Sequence, residues 1–206
     1  IQSAITSGAK ILESKLISSP YLDSEILMTK AINRDKKYLL LNAKKNINGK
    51  NLFFFQKLID ERSKGKPISH LTNKKFFWNS EFYVTEETLI PRPDTELIVE
   101  NVLKLTKNKI KVSILDIGVG SGCILLSILQ QRRDFYGTGL DVSKNCIKIS
   151  NKNAIKLNVH SRLKLFNSNV DKFNFGKYDL IVSNPPYIKK HILKYLDRDV
   201  AEFEPK

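Results

Sequence analysis

Apolar and polar positions in the first 75 residues alternate at the helical period. Ile5, Ala9, Leu12 and Leu16 recur at i, i+4, i+7 and i+11 and predict one helix stripe. Ser19-Pro20 predicts a second helix start, because proline at the first helical position loses no intrahelical bond. Leu22, Ile26 and Leu27 give its apolar face. A third helix fits Leu52, Phe55, Leu58, Ile59 and Arg62, closed by Gly65 and Pro67. Short helices of this kind bury their stripes against one another. Residues 1–75 are therefore expected to form a small N-terminal helical bundle.

The period changes at Phe76. Phe76-Phe77-Trp78 and Phe82-Tyr83-Val84 are β-prone and flank Asn79-Ser80-Glu81, which predicts a hairpin. Residues 76–91 are expected to link two domains through it. Two prolines stiffen Leu89-Ile90-Pro91-Arg92-Pro93-Asp94-Thr95-Glu96, and a helix follows with Leu97, Ile98, Asn101, Val102 and Leu105 on one face. From residue 112 strands and helices alternate. The strands are Val112–Ile117, Tyr136–Leu140, Arg162–Phe166 and Tyr178–Ser183; one helix reaches Gln130 and another spans residues 143–157. Near-continuous apolar strands separated by helices imply a parallel sheet, hence an α/β domain over residues 92–206.

Composition narrows the class. The 206 residues are 41% hydrophobic and 27% charged, too apolar for a disordered chain. No apolar run approaches the roughly 18 residues that a membrane helix needs. Cys123 and Cys146 have no CxxC partner, which fits a reducing, cytoplasmic location. His70, His160 and His191 lie too far apart for a metal-ligand set. The net charge is +14, but it comes from 28 Lys against 7 Arg, beside 22 Ile and 17 Asn. Those are residues of A/T-rich codons, whereas phosphate readout favours arginine. A basic surface for nucleic acid is the other reading, and both allow RNA nearby.

Three motifs carry chemistry. Asp116-Ile117-Gly118-Val119-Gly120-Ser121-Gly122 turns a strand into a helix whose free N–H groups favour a carboxylate or phosphate. No Gly-Lys-Ser/Thr follows, and Cys123 stands where a dinucleotide fingerprint needs its third glycine. The Gly-x-Gly-x-Gly spacing resembles S-adenosylmethionine-dependent methyltransferases. Asp141, ending the second strand, suits paired ribose hydroxyls or caps the next helix, a role Ser143 can also fill. Asn184-Pro185-Pro186-Tyr187 follows the fourth strand, on the side of the sheet where parallel-strand sites lie. An Asn carbonyl beside a rigid proline carbonyl suits a planar –NH2 group. It holds both hydrogens while the nitrogen attacks, and Tyr187 walls the pocket.

The Asn184–Tyr187 motif is similar to that of amino-methylating enzymes. With Pro67-Ile68-Ser69-His70-Leu71-Thr72, Phe77-Trp78, Leu89–Glu96 and Glu202-Phe203-Glu204-Pro205, nearly the whole chain resembles the HemK/PrmC family. That resemblance implies a Rossmann-like methyltransferase sheet and methylation of the glutamine in the Gly-Gly-Gln motif of peptide-chain release factors. It implies a cytoplasmic, monomeric enzyme of translation termination, with S-adenosyl-L-methionine as cofactor and no membrane, metal or obligatory nucleic-acid partner. Asp116, Gly118, Val119, Gly120, Ser121 and Gly122 would hold the cofactor's methionine part, and Asp141 its ribose. Asn184 would bridge cofactor and substrate, with Pro185, Pro186 and Tyr187 completing the glutamine pocket. The family's Asp and bulky residue near the adenine are matched by Asn169 and Val170, which implies weaker adenine contacts. His70 and Arg92 receive structural roles. The family's sheet has more strands than the four read here, so the resemblance implies a partial chain lacking C-terminal strands. The competing readings are a nucleic-acid exocyclic-amine methyltransferase and an inactive partial chain.

Overall fold

The computed structural model describes residues 1–185 and Phe203. Two compact units follow one another, divided between Asn73 and Lys74. The first is all-helical: α1 (Gln2–Ser14), α2 (Pro20–Ile32), α3 (Lys36–Leu41), α4 (Gly49–Ser63) and α5 (Ile68–Thr72). Helix α1 buries Ile5, Gly8, Ala9 and Leu12. A Cβ on Gly8 would lie 2.7 Å from Ser24 Oγ and 2.8 Å from Phe55 Cζ, so the missing side chain sets how closely α1 meets α2 and α4. The stripe stops short of its predicted end. Leu16 takes a left-handed φ of 59° just past the helix and is 92% exposed.

Helix α2 begins at Pro20, as predicted, but Ser19 does not cap it through its side chain. Its hydroxyl donates instead to Asp23 Oδ1 at 2.9 Å. Asp23 Oδ2 accepts from Arg62 Nε on α4 at 2.7 Å, both side chains being buried. The other arm of Arg62 donates to the carbonyls of Gly65 and Lys66. One guanidinium thus ties α2 to α4 and closes the turn that ends α4. Helix α3, absent from the sequence reading, is capped by the Asp35 side chain accepting from Tyr38 N at 2.8 Å.

The second unit opens with the hairpin, β1 (Lys74–Phe77) and β2 (Ser80–Tyr83), paired antiparallel with Trp78 at a φ of 53° in the turn. Then come α6 (Glu96–Leu105), β3 (Ser113–Ile117), α7 (Cys123–Gln131), β4 (Tyr136–Asp141), α8 (Lys144–Lys156), β5 (Leu163–Asn167) and β6 (Leu180–Ser183). The four later strands form a parallel sheet in the order β5-β4-β3-β6. Phe77, Phe82 and Val84 of the hairpin region share a buried core with α6, α7 and the sheet. Helix α6 keeps only Val102 and a half-buried Ile98 of the face read. Val99 and Val102 are buried, with Thr95 and Thr106 extending the stripe, while Leu97 and Leu105 are exposed. Threonines at both ends disguise that stripe; Thr106 satisfies its hydroxyl on the Val102 carbonyl at 2.6 Å. Among the described residues no helix is long and apolar enough to cross a membrane.

Removing one partner of a buried ion pair leaves the other charge uncompensated, at a cost of roughly 3–5 kcal/mol. Asp23→Ala is therefore expected to cost the helical unit on that order, read as a lower denaturant midpoint. A loss within the range of a surface substitution would contradict the tie.

Candidate active site

The order β4-β3-β6 places the ends of three strands side by side, and a cleft of about 390 Å³ opens there. Gly118, Gly120, Asp141, Asn169, Val170, Asn184 and Pro185 all line it. Four segments far apart in sequence therefore meet there. Leu89, Ile117, Leu140 and Val142 add apolar wall, with Cys146 and Ser168 beside them, and the sequence reading gave none of these six a place in the site. Pro186 and Tyr187 lie outside the described residues.

The glycine loop is tied to the end of β4. Leu140 O accepts from Gly118 N at 2.9 Å and from Val119 N at 2.8 Å, and Gly122 N donates to Val119 O at 2.7 Å. Gly120 N donates to Asp141 Oδ2 at 2.9 Å, while Asp141 Oδ1 accepts from Ser143 N at 2.8 Å. The N–H groups of Gly118, Val119, Gly120 and Gly122 are thus engaged inside the protein, ahead of the α7 N–H groups that the sequence reading offered to a ligand. Asp141 is the loop's anchor as well as a cleft acceptor. The cap of α8 is Ser143, whose side chain accepts from Cys146 N. Gly120 has a φ of +53°, and the nearest atom to a Cβ there is 3.9 Å away, so the loop presents open backbone to the cleft. Gly122 serves packing: a Cβ on it would lie 2.6 Å from Ser150 Oγ of α8. Val119 and Ser121 are buried behind the loop.

Asp116 also lies behind the loop, fully buried, with no hydrogen-bond partner for Oδ1 among the described residues. Burial pushes its carboxyl up to about 7; the Leu125 backbone N–H in the first turn of α7 pulls it down, and the Asp141 carboxylate pushes it up further. A buried acceptor without a donor suits a cationic or hydrogen-donating ligand. Burial also pushes the thiols of Cys123 and Cys146 up to about 12 and about 11, which keeps both protonated and unreactive.

Asn184 reaches the cleft rim with its side chain held. Its Nδ2 donates to Thr95 Oγ1, a buried hydroxyl, at 3.2 Å. That contact turns the amide so that Oδ1 is its free end; among the described residues no donor is bonded to it. Asn169 lines the cleft and also accepts from Asp171 N at 3.2 Å through its side-chain oxygen. Val170 is half exposed.

A residue that the sequence reading missed joins these parts. Asn153 on α8 is fully buried, accepts from Tyr83 N at 2.8 Å, and donates to Tyr83 O at 2.9 Å and to Ser121 O at 2.8 Å. One amide thus fixes the end of the hairpin, the glycine loop and α8 in one geometry. His70 is buried on α5 in the helical unit.

Comparison with known proteins identifies both units. The family described as "Methyltransferase small domain" matches residues 93–199, and the "PrmC N-terminal domain" matches residues 3–72. A release factor glutamine methyltransferase of Buchnera aphidicola is 38% identical over 96% of this chain, which covers 70% of that protein. One from Leptospira interrogans is 36% identical over the whole chain, which covers 73% of it. A bifunctional methyltransferase of Rickettsia bellii is 34% identical over the whole chain, which spans 42% of its length.

The buried carboxyl gives a pH test. Its folded pKa, raised to about 7 from the ordinary 3.8, means the folded protein keeps a proton that the unfolded chain has lost between those values. The ligand-free protein is therefore expected to lose stability as pH rises from near 4 to near 7, and none further from this group above that. Asp116→Asn removes the effect. Its melting temperature should exceed the parent's at pH 8 and match it at pH 4. A gap that stays constant across that range would contradict the assignment.

Proposed function

The chain belongs to the family of release factor glutamine methyltransferases, and from that premise we propose that it methylates the side-chain amide of the glutamine in the Gly-Gly-Gln motif of a release factor. S-adenosylmethionine supplies the electrophilic methyl group. The observation that carries the reading is the Asn184 amide, locked by Thr95 at the rim of the glycine-loop cleft.

The cleft residues fit such a cofactor. Asp141 is an acceptor for vicinal hydroxyls, the open backbone at Gly118 and Gly120 leaves room for an amino-acid chain, and Val142 and Val170 offer apolar contact to a base. Asp116 lies behind the loop, and its orphaned oxygen is an acceptor there for a hydrogen-donating group of the ligand. Val119, Ser121 and Gly122 shape the loop.

The catalytic work falls to Asn184 and Pro185. A primary amide nitrogen is a poor nucleophile because its lone pair is delocalised into the carbonyl. Asn184 Oδ1 and the Pro185 carbonyl accept its two hydrogens, which holds the nitrogen in line for attack. The same acceptors stabilise the positive charge that grows on nitrogen before it sheds a proton. Thr95 acts through Asn184. Without its hydroxyl the amide is free to turn and offer N–H where an acceptor is required. Pro186 and Tyr187 complete the glutamine pocket in this reading. The net positive charge is compatible with a nucleic-acid amine as substrate, but the family match over the helical unit speaks for a protein substrate.

Mass spectrometry of a release factor incubated with enzyme and S-adenosylmethionine should show one added methyl on the Gly-Gly-Gln peptide. Methyl transfer to DNA or RNA with none to that protein would overturn the reading. Asn184→Ala should lower kcat about 100-fold with cofactor affinity little changed. Thr95→Val should lower kcat about tenfold with KM near the parent's, and Thr95→Ser should restore it. A Thr95→Val defect confined to stability would remove the positioning role.

Cofactor binding is tested at two cleft positions by calorimetric titration with S-adenosylmethionine. Gly120→Val forces a β-branched residue into the left-handed region and fills the open backbone, and should weaken binding at least tenfold, about 1.4 kcal/mol. Val170→Trp should tighten it by adding a stacking surface for the base. No change at Val170→Trp would place the base elsewhere.

A further inference from the structure

We propose that the second unit carries a second binding site, on the sheet face opposite α7, which takes single-stranded nucleic acid by base stacking and phosphate pairing. Residues paired across the parallel strands share a face, so Tyr136, Thr138, Lys164 and Phe166 lie together, away from the face on which Gly137 meets Leu125 and Leu129 of α7. Over this face a cavity of about 610 Å³ is lined by Tyr136, Lys164, Phe166, Phe175, Lys177 and Tyr178 among others. It shares no lining residue with the active-site cleft and sits at the opposite, amino-terminal ends of β4 and β5.

Three features fix the ligand class. First, the cavity wall holds Arg162, Lys164 and Lys177 and no carboxylate among its described residues. Arg162 spends its guanidinium on the carbonyls of Leu129, Arg132 and Phe135 at the end of α7, which leaves Lys164 and Lys177 as the cations available to a ligand. Lys164 and Lys177 are exposed, and neither has an ion-pair partner among the described residues. Second, large rings stand open to solvent beside those cations: Phe175 is 63% exposed and Tyr136 53%. Third, the rings are held. Phe175 stacks on Phe166 with centroids 6.2 Å apart and planes 8° apart, Phe173 packs against both, and Tyr178 OH donates to Phe175 O at 2.9 Å. Exposed, preorganised rings flanked by free lysines match a strand of bases and phosphates. An acidic peptide would use the lysines and leave the rings without a role. The site also gives the +14 charge a function that the methyl-transfer cleft does not use.

The probe is a fluorescein-labelled octa-uridylate, read by anisotropy on the full 206-residue chain at physiological salt. Saturable binding is expected, unaffected by saturating S-adenosylmethionine. Lys164→Glu with Lys177→Glu should weaken it at least about tenfold and flatten the salt dependence by about 1.4 in log-log slope. Phe175→Ala should weaken it about fivefold or more, and Phe175→Trp should restore it. Lys10→Glu with Lys57→Glu changes net charge equally at exposed positions in the helical unit and should leave binding intact. Equal weakening by that control would reduce the effect to overall charge and overturn the site. So would full affinity in Phe175→Ala, an absence of binding, or a labelled poly-glutamate peptide bound with the same lysine dependence and greater affinity.

Discussion

The end of β4 holds the site together. Leu140 offers one carbonyl to two successive N–H groups of the glycine loop, and Asp141 offers one carboxylate oxygen to the loop and the other to the start of α8. Hydrogen bonds to a carboxylate are roughly twice as strong as neutral ones. The loop is thereby shaped by protein partners, and its conformation does not wait for a ligand. Preorganisation of this kind leaves more of a ligand's interaction energy as affinity, because less ordering remains to be done on binding.

What lies behind the loop is less comfortable. A fully buried carboxyl with an orphaned oxygen is a local conflict between burial and polarity, and a packed core tolerates such conflicts chiefly where function needs them. The surrounding apolar packing of Ile114, Leu125, Leu126 and Phe135 offsets it. The cleft side, by contrast, is open glycine backbone beside the Asp141 carboxylate, with no lysine, arginine or histidine among its described lining residues.

Strand–helix alternation after residue 112 is legible because buried parallel strands leave long apolar runs, and the four strands fall within two residues of their read positions. The Asn184 loop is legible for another reason: an Asn followed by two prolines directly after a strand sets a side-chain carbonyl beside rigid backbone carbonyls. Other features leave no local mark. Thr95 looks like any residue ahead of a helix, yet its partner is 89 positions away. Asn153 is one of many polar residues in its helix, and its contacts at Tyr83 and Ser121 exist only in the fold. Helix α3 is six residues of lysine, tyrosine and leucine, too short to show a period. Leu16 fails because hydrophobic spacing says nothing of where the backbone turns left-handed.

The Asn153 amide has a consequence for how the protein breathes. Tyr83 N–H cannot exchange with deuterium until Asn153 lets go, and that release also frees the Ser121 carbonyl in the glycine loop. Hairpin and loop lie far apart in sequence, yet they open through one latch and so behave as a single cooperative unit. Amide protection at Tyr83 is therefore a reporter of an intact site, legible in the protein without substrate, cofactor or turnover.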